Sequence, residues 1–122
     1  MDNNQKTLVI GASEKPDRYS NMAIRLLLKK GKQVVAIGSR TGQIEGVFIQ
    51  EGLPNFEDIH TITLYINPEI QKKYYEYILA LQPKRIIFNP GTENRALKEM
   101  AESAGIKTEE ACTLVLLNLN LY

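Results

Sequence analysis

The chain has 122 residues, 43% of them hydrophobic, with 15 Lys and Arg against 14 Asp and Glu for a formal net charge of +1. That length suits a single domain, residues 1–122, burying roughly two-thirds of its unfolded surface, and the balanced charge excludes the global basic field that drives non-specific nucleic-acid binding. No apolar run reaches the ~18 residues of a membrane span, Met1 to Lys6 lack the basic and apolar regions of a signal peptide, and the single cysteine excludes an internal disulfide or a cysteine-cluster metal site. The expectation is a cytoplasmic protein with neither nucleic acid nor membrane as partner.

In chain order, Thr7 to Ile10 read as a short buried strand. The small residues Gly11, Ala12 and Ser13 follow, a combination that lets backbone N–H groups approach an anion ahead of a helix. Ser20 is placed as the cap of that helix, predicted over Asn21 to Lys30, with Ala23, Ile24, Leu27 and Leu28 at helical spacing and Gly31 as its stop. Gln33 to Ile37 form a second strand ending at Gly38-Ser39-Arg40. Thr41 to Gly52 are a glycine-punctuated excursion with a short strand at Val47 to Ile49.

Ile62 to Ile66 make the third main strand. Asn67-Pro68-Glu69 then supply a capping Asn, a proline at the first helical position and an acid at the positive dipole end. That helix runs to about Leu81, burying Ile70, Tyr74, Tyr77, Ile78 and Leu81 and turning Lys72, Lys73 and Glu76 to water. Arg85 to Phe88 are a fourth strand, followed by Asn89-Pro90-Gly91-Thr92-Glu93-Asn94 and a helix with Leu97, Met100, Ala101 and Ala104 inward and Gly105 at its end. Ile106 to Thr108 give a fifth strand before Glu110-Ala111-Cys112 and a leucine-rich tail. Strands alternating with helices require crossover connections. The predicted fold class is α/β: a single Rossmann-like three-layer domain whose mostly parallel sheet of about five strands is flanked by helices.

Ligands of such sheets lie beyond the carboxyl ends of the strands. Four ends therefore supply the candidate site: Gly11, Ala12 and Ser13 with Arg18 and Ser20; Gly38, Ser39 and Arg40; Ile66, Asn67 and Pro68; and Asn89, Pro90 and Gly91 with Asn94. The first loop is not the dinucleotide fingerprint, because Ser13 and Pro16 stand where its second and third glycines belong and Arg18 adds a fixed charge. At the second strand end Ser39 and Arg40 suit a ribose that carries a phosphate, where a NAD site wants Asp or Glu. NADP and coenzyme A both meet that description.

Gly11-Ala12-Ser13 with Pro16, Arg18, Tyr19 and Ser20, then Gly31, Gly46, Asn89-Pro90-Gly91, Gly105-Ile106 and Glu110-Ala111-Cys112, resemble the small stand-alone CoA-binding domain proteins. These are similar to the CoA-binding domain of the succinyl-CoA synthetase alpha subunit. The resemblance spans about Lys6 to Leu117. It implies coenzyme A lying along the strand ends, with Gly11, Ala12 and Ser13 at the diphosphate, Arg18 as a cationic phosphate partner, and Ser39 and Arg40 around the phosphorylated ribose. Residues Ile66 to Pro68 and Asn89 to Gly91 would flank the adenine and pantetheine path. Many members carry Asn-Pro after the second strand and Gln near the fourth strand end, where this chain has Gly38-Ser39 and Asn89-Pro90.

Each candidate also has a plainer reading. Gly11 to Ser13 and Asn89 to Gly91 serve as turns, Arg18 and Arg40 as solvated loop charges, and Asn67 and Asn94 as helix starts. Cys112 is expected as a buried structural cysteine and His60 as a surface residue in a loop, with no second ligand at metal spacing. Tyr74, Tyr75 and Tyr77 read as packing residues. The apolar tail Leu114 to Leu121 with Tyr122 either packs on the sheet or forms a homodimer contact. The sequence therefore predicts a binder of coenzyme A or an acyl-CoA acting as a carrier, sensor or accessory protein and not as an enzyme. The alternatives are an NADP(H)-binding reductase-like enzyme and a ligand-free interaction subunit.

Overall fold

The computed structural model describes residues 5–122; the part of the leader reading that falls on residues 1–4 lies outside the described residues. A seven-stranded sheet forms the middle layer, in the order β3-β4-β2-β1-β5-β6-β7. Its strands are β1 (Lys6–Ile10), β2 (Gln33–Ile37), β3 (Gly42–Ile44), β4 (Val47–Gln50), β5 (Ile59–Leu64), β6 (Arg85–Phe88) and β7 (Lys107–Glu110). The neighbours run parallel except the β3–β4 hairpin, so the Rossmann-like α/β prediction stands with two strands more than expected.

The helices are α1 (Tyr19–Lys29), α2 (Pro68–Gln71), α3 (Tyr75–Leu81), α4 (Arg95–Ser103) and α5 (Thr113–Asn118). Because β1 is central and covered on both faces, Leu8, Val9 and Ile10 are all fully buried and the strand reads as an unbroken apolar run. Leu8 and Ile10 join Ile62, Leu64, Ile86 and Phe88 against Tyr74, Ile78, Leu97 and Ala101. Val9 and Ala36 pack on the opposite face against Ile24 and Leu27 of α1 and Leu117 of α5. Each fully buried Leu, Ile or Phe contributes roughly 1.5–3 kcal/mol.

Several local expectations need correction. The first helix begins at Tyr19 after Arg18, so Ser20 is no cap but a buried residue of the first turn. The cause is a turn in which Arg18 N–H donates to the Lys15 carbonyl (3.1 Å) and feeds directly into the Met22-to-Arg18 helical bond. Strand β5 starts at Ile59, placing His60 in a strand; a register shift at Lys6/Thr7 accommodates the added pair. The strand ends at Leu64, which leaves Ile66 in the following loop. Strand β7 begins one residue later and ends two residues later than predicted.

Between α2 and α3 the helical path tightens through a single 3-10 turn, Lys72–Tyr74, and Ile70 is exposed instead of buried. Ala104 is exposed as well, since the chain leaves the helix there and Ile106 takes the inward place. Cys112 is half-buried, flanking the start of α5. Within the tail, Leu117 is buried on α1's side of the sheet while Val115, Leu119 and Leu121 stay exposed. No helix among the described residues is long and apolar enough to cross a membrane.

Candidate functional site

The ends of β1, β2, β4 and β5 frame a cleft of about 880 Å³, near the upper end of the ~300–1,000 Å³ common for small-molecule sites. Its floor is set by close backbone packing. Gly11 has φ of 103°, and a Cβ there would lie 2.7 Å from the Tyr65 carbonyl oxygen. Gly38 is as confined, with Ala12 O 2.5 Å from where its Cβ would be. These glycines let three strand ends converge, a role distinct from anion binding. Indeed, the N–H groups of Gly11 and Ala12 both donate to the Ile37 carbonyl at 2.9 Å. The unengaged donors move one step on: Ser13 and Glu14 N–H have no acceptor among the described residues.

Asn21 holds this loop in shape. Its amide donates to Ser13 O at 2.9 Å, while its oxygen accepts from Arg25 Nε at 2.8 Å. The start of α1 has no side-chain cap and no acidic residue in its first turn, so its dipole and free N–H groups favour an anion nearby.

Of the predicted residues, the structure brings together Gly11, Ala12, Ser13, Arg18, Gly38, Ser39, Arg40 and Ile66 along the cleft. Lys15 and Lys73 join Arg18 and Arg40 there, and none of these four cations is ion-paired among the described residues. These four cations outnumber the two carboxylates of the lining, Glu14 and Glu51, and the excess positive charge is relieved when an anion sits between them. Each of the two carboxylates keeps its charge and accepts a backbone N–H, Glu14 from Gln43 (2.8 Å) and Glu51 from Thr41 (3.2 Å). Leu53 and Ile70 are exposed and, with Ile49, Tyr65 and Tyr74, give the lining its apolar part.

The remaining predicted residues lie outside this lining. Asn67 accepts from Ile70 N–H at 2.9 Å as the cap of α2, with Pro68 as its first residue. Asn89, 2% exposed, donates to Thr63 Oγ1 (2.6 Å) and Leu64 O (2.8 Å) and accepts from Thr113 N–H (2.9 Å). Asn94 caps α4 through Leu97 N–H and donates to Gln71 Oε1 and the Tyr75 hydroxyl. Gln71, wholly buried, closes this network by donating to Ile66 O and Thr92 O, both at 2.8 Å. Pro90 and Gly91 form the turn between them, where Gly91 N–H donates to Glu93. Ser20 is buried beneath the loop. Four of the strand ends thus divide by job, with two lining the cleft through polar residues and two bracing the loops behind it.

Sequence reasoning did not single out Lys15, Lys73, Glu14, Glu51, Leu53 or Tyr65. Lys73 was legible only as a water-facing helix residue, and Glu51 and Leu53 sit in the excursion whose path no periodicity marks. Tyr65 has a hydroxyl that is buried without a hydrogen-bond partner. Burial pushes that hydroxyl up to about 12. His60 lies at the far end of β5 from the cleft, its Nδ1 2.8 Å from Thr61 Oγ1. Burial, then Arg85, Lys84 and Lys32, lower its proton affinity. No group of three or more His, Cys, Asp or Glu side chains able to hold a metal ion occurs among the described residues.

The sequence matches the CoA binding domain family over residues 5–118. A crystal structure of an uncharacterized protein is similar with a TM-score of 0.94 and 42% identity, covering 97% of this chain and 98% of that one. A hypothetical protein from Pyrococcus horikoshii OT3 gives a TM-score of 0.85 at 24% identity, over 96% and 83% of the two chains. The dinucleotide forming acetyl-coenzyme A synthetase 1 of Ca. Korarchaeum cryptofilum, solved with phosphate and ADP, shares the fold with a TM-score of 0.70 at 17% identity, over 88% of this chain and 25% of that one. No curated protein matches the chain.

Proposed function

The chain belongs to the CoA binding domain family, and from that premise we propose that it binds coenzyme A or an acyl-CoA in the cleft at the strand ends. The observation that carries this reading is the excess of positive charge around one cleft, Lys15, Arg18, Arg40 and Lys73 against Glu14 and Glu51, in a chain whose net charge is only +1. In the proposed pose the diphosphate meets Ser13 and Glu14 N–H and Arg18, beside Gly11 and Ala12. The phosphorylated ribose meets Ser39 and Arg40, beside Gly38. Leu53, Ile66 and Ile70 offer apolar surface to the base or the pantetheine arm. Charge-assisted contacts at two separated points favour a ligand that carries phosphate at both.

The role proposed is that of a carrier, sensor or accessory protein in the cytoplasm, without a catalytic step of its own. The exposed Val115, Leu119 and Leu121 are the proposed homodimer contact. Isothermal titration with coenzyme A and NADPH side by side tests the ligand. Sub-millimolar binding of coenzyme A with weaker NADPH binding is expected, and NADPH binding in the absence of coenzyme A binding would sink the proposal.

A further inference from the structure

Glu14 is an acidic residue in a cleft lined by four unpaired cations, where a negative charge opposes an anionic ligand. Its position answers a mechanical need. From the loop after β1 its side chain crosses to the start of β3, just beyond the loop that carries Ser39 and Arg40, where Oε2 accepts the Gln43 N–H at 2.8 Å. The carboxyl group lies directly over Gly42: a Cβ there would be 2.4 Å from Glu14 Cδ. Glu51, just after β4, makes a longer contact to Thr41 N–H at 3.2 Å that stays within the 41–52 excursion and leaves Glu14 as the tie to the first loop. Resting on the coenzyme A reading above, we infer that Glu14 is a positioning residue for ligand selectivity. It fixes the arm that carries Ser39 and Arg40 against the arm that carries Ser13 and Arg18, so that a ligand with phosphate at two separated points is preferred over one with the diphosphate alone.

Three variants separate the tie from the charge. Glu14→Gln removes the charge but keeps an oxygen that can accept from Gln43. Gly42→Ala keeps the charge but places a methyl group where the carboxyl lies, so the side chain must leave. Glu14→Ala removes both. The readouts are the affinity ratio of coenzyme A to 3′-dephospho-coenzyme A, and hydrogen exchange of the Gln43 amide in the ligand-free protein.

The preference for coenzyme A is expected to fall roughly tenfold in Gly42→Ala and Glu14→Ala, the scale of one charge-assisted contact, while Glu14→Gln keeps or raises it. Gln43 exchange should quicken in the first two variants only. An unchanged ratio in Gly42→Ala, or an equal fall in Glu14→Gln, would overturn the inference. Wild-type protein that binds neither ligand would overturn the coenzyme A reading instead, and Gln43 exchange would still show whether the tie exists.

Discussion

Replacing Asn89 with Ala tests whether the fourth strand end braces the fold or touches the ligand. The side chain is 2% exposed and makes three hydrogen bonds, to Thr63 Oγ1, Leu64 O and Thr113 N–H. Truncation strands the Thr113 N–H at the start of α5, at about 1–3 kcal/mol, and forfeits two donor bonds of about 0.5–1.5 kcal/mol each. Thr63 and Thr113 still pair through their hydroxyls at 2.8 Å, which offsets part of the loss, so about 3 kcal/mol is expected. For 122 residues, an unfolding entropy of about 2.1 cal/mol/K per residue turns that into a fall in Tm of roughly 12 °C. Urea unfolding with an unchanged slope measures the stability. Coenzyme A affinity, measured well below the lowered Tm, should stay within about twofold, because the residue has no exposed polar atom to offer. A stability loss under about 1 kcal/mol, or a tenfold weaker affinity in folded protein, would refute the reasoning.

Arg18→Ala and Arg40→Ala should each weaken coenzyme A binding by about 1.5–3 kcal/mol, roughly tenfold or more; calorimetry showing no change would return either residue to the solvent. Gly11→Ala should destabilise more than Gly31→Ala. Both glycines have positive φ, but only Gly11 has Tyr65 backbone in the way, whereas nothing lies within 4 Å at Gly31; equal Tm shifts would remove the packing role. Tyr65→Phe deletes a buried hydroxyl without a partner and should leave stability unchanged or raise it; a marked loss in urea unfolding would mean the hydroxyl is engaged. Tyr65 and Tyr77 both titrate near 12 when folded against 10 in the unfolded chain, so stability present below pH 10 should decline as pH rises towards 12; a flat profile there would count against the burial of these rings. Val115→Lys with Leu119→Lys should abolish any dimer seen by light scattering, and a monomeric wild type would dispose of that contact.

Much of the architecture was legible because β1, β2 and β6 are compact apolar runs and because Asn67-Pro68-Glu69 spells a helix start in consecutive residues. Strand β4 was expected at Val47 to Ile49, but its hairpin partner β3 was hidden for a physical reason. The turn residues Glu45 and Gly46 both have positive φ, as a tight hairpin requires, but Glu is a poor advertisement for that geometry, and Gly42-Gln43-Ile44 has little strand propensity. Strand-end logic places Arg18 and Arg40 beside the cleft, where the structure has them. Lys73 and Glu51 could not be found that way, since they reach the cleft from a 3-10 turn and an irregular loop whose placement depends on tertiary packing. Asn89 and Asn94 lie outside the cleft lining, and each brings a donor and an acceptor to its surroundings, as a buried Asn can.

The placement of β1 at the centre of the sheet also shapes the order in which the molecule can assemble. Lys6 pairs with Gln33 on one side, but its partner on the other side is Ile59. Closing the longer loop costs more chain entropy, by about 0.6 kcal/mol per doubling of length, so pairing of β1 with β2 is favoured to come before β5 docks. The arms bearing Arg18 and Arg40 both belong to the early half, whereas Tyr65, Ile70 and Lys73 belong to the late one. The cleft therefore exists only once the two halves have met. A ligand held across that seam would act as a staple, slowing unfolding wherever separation of the halves is the step that limits it.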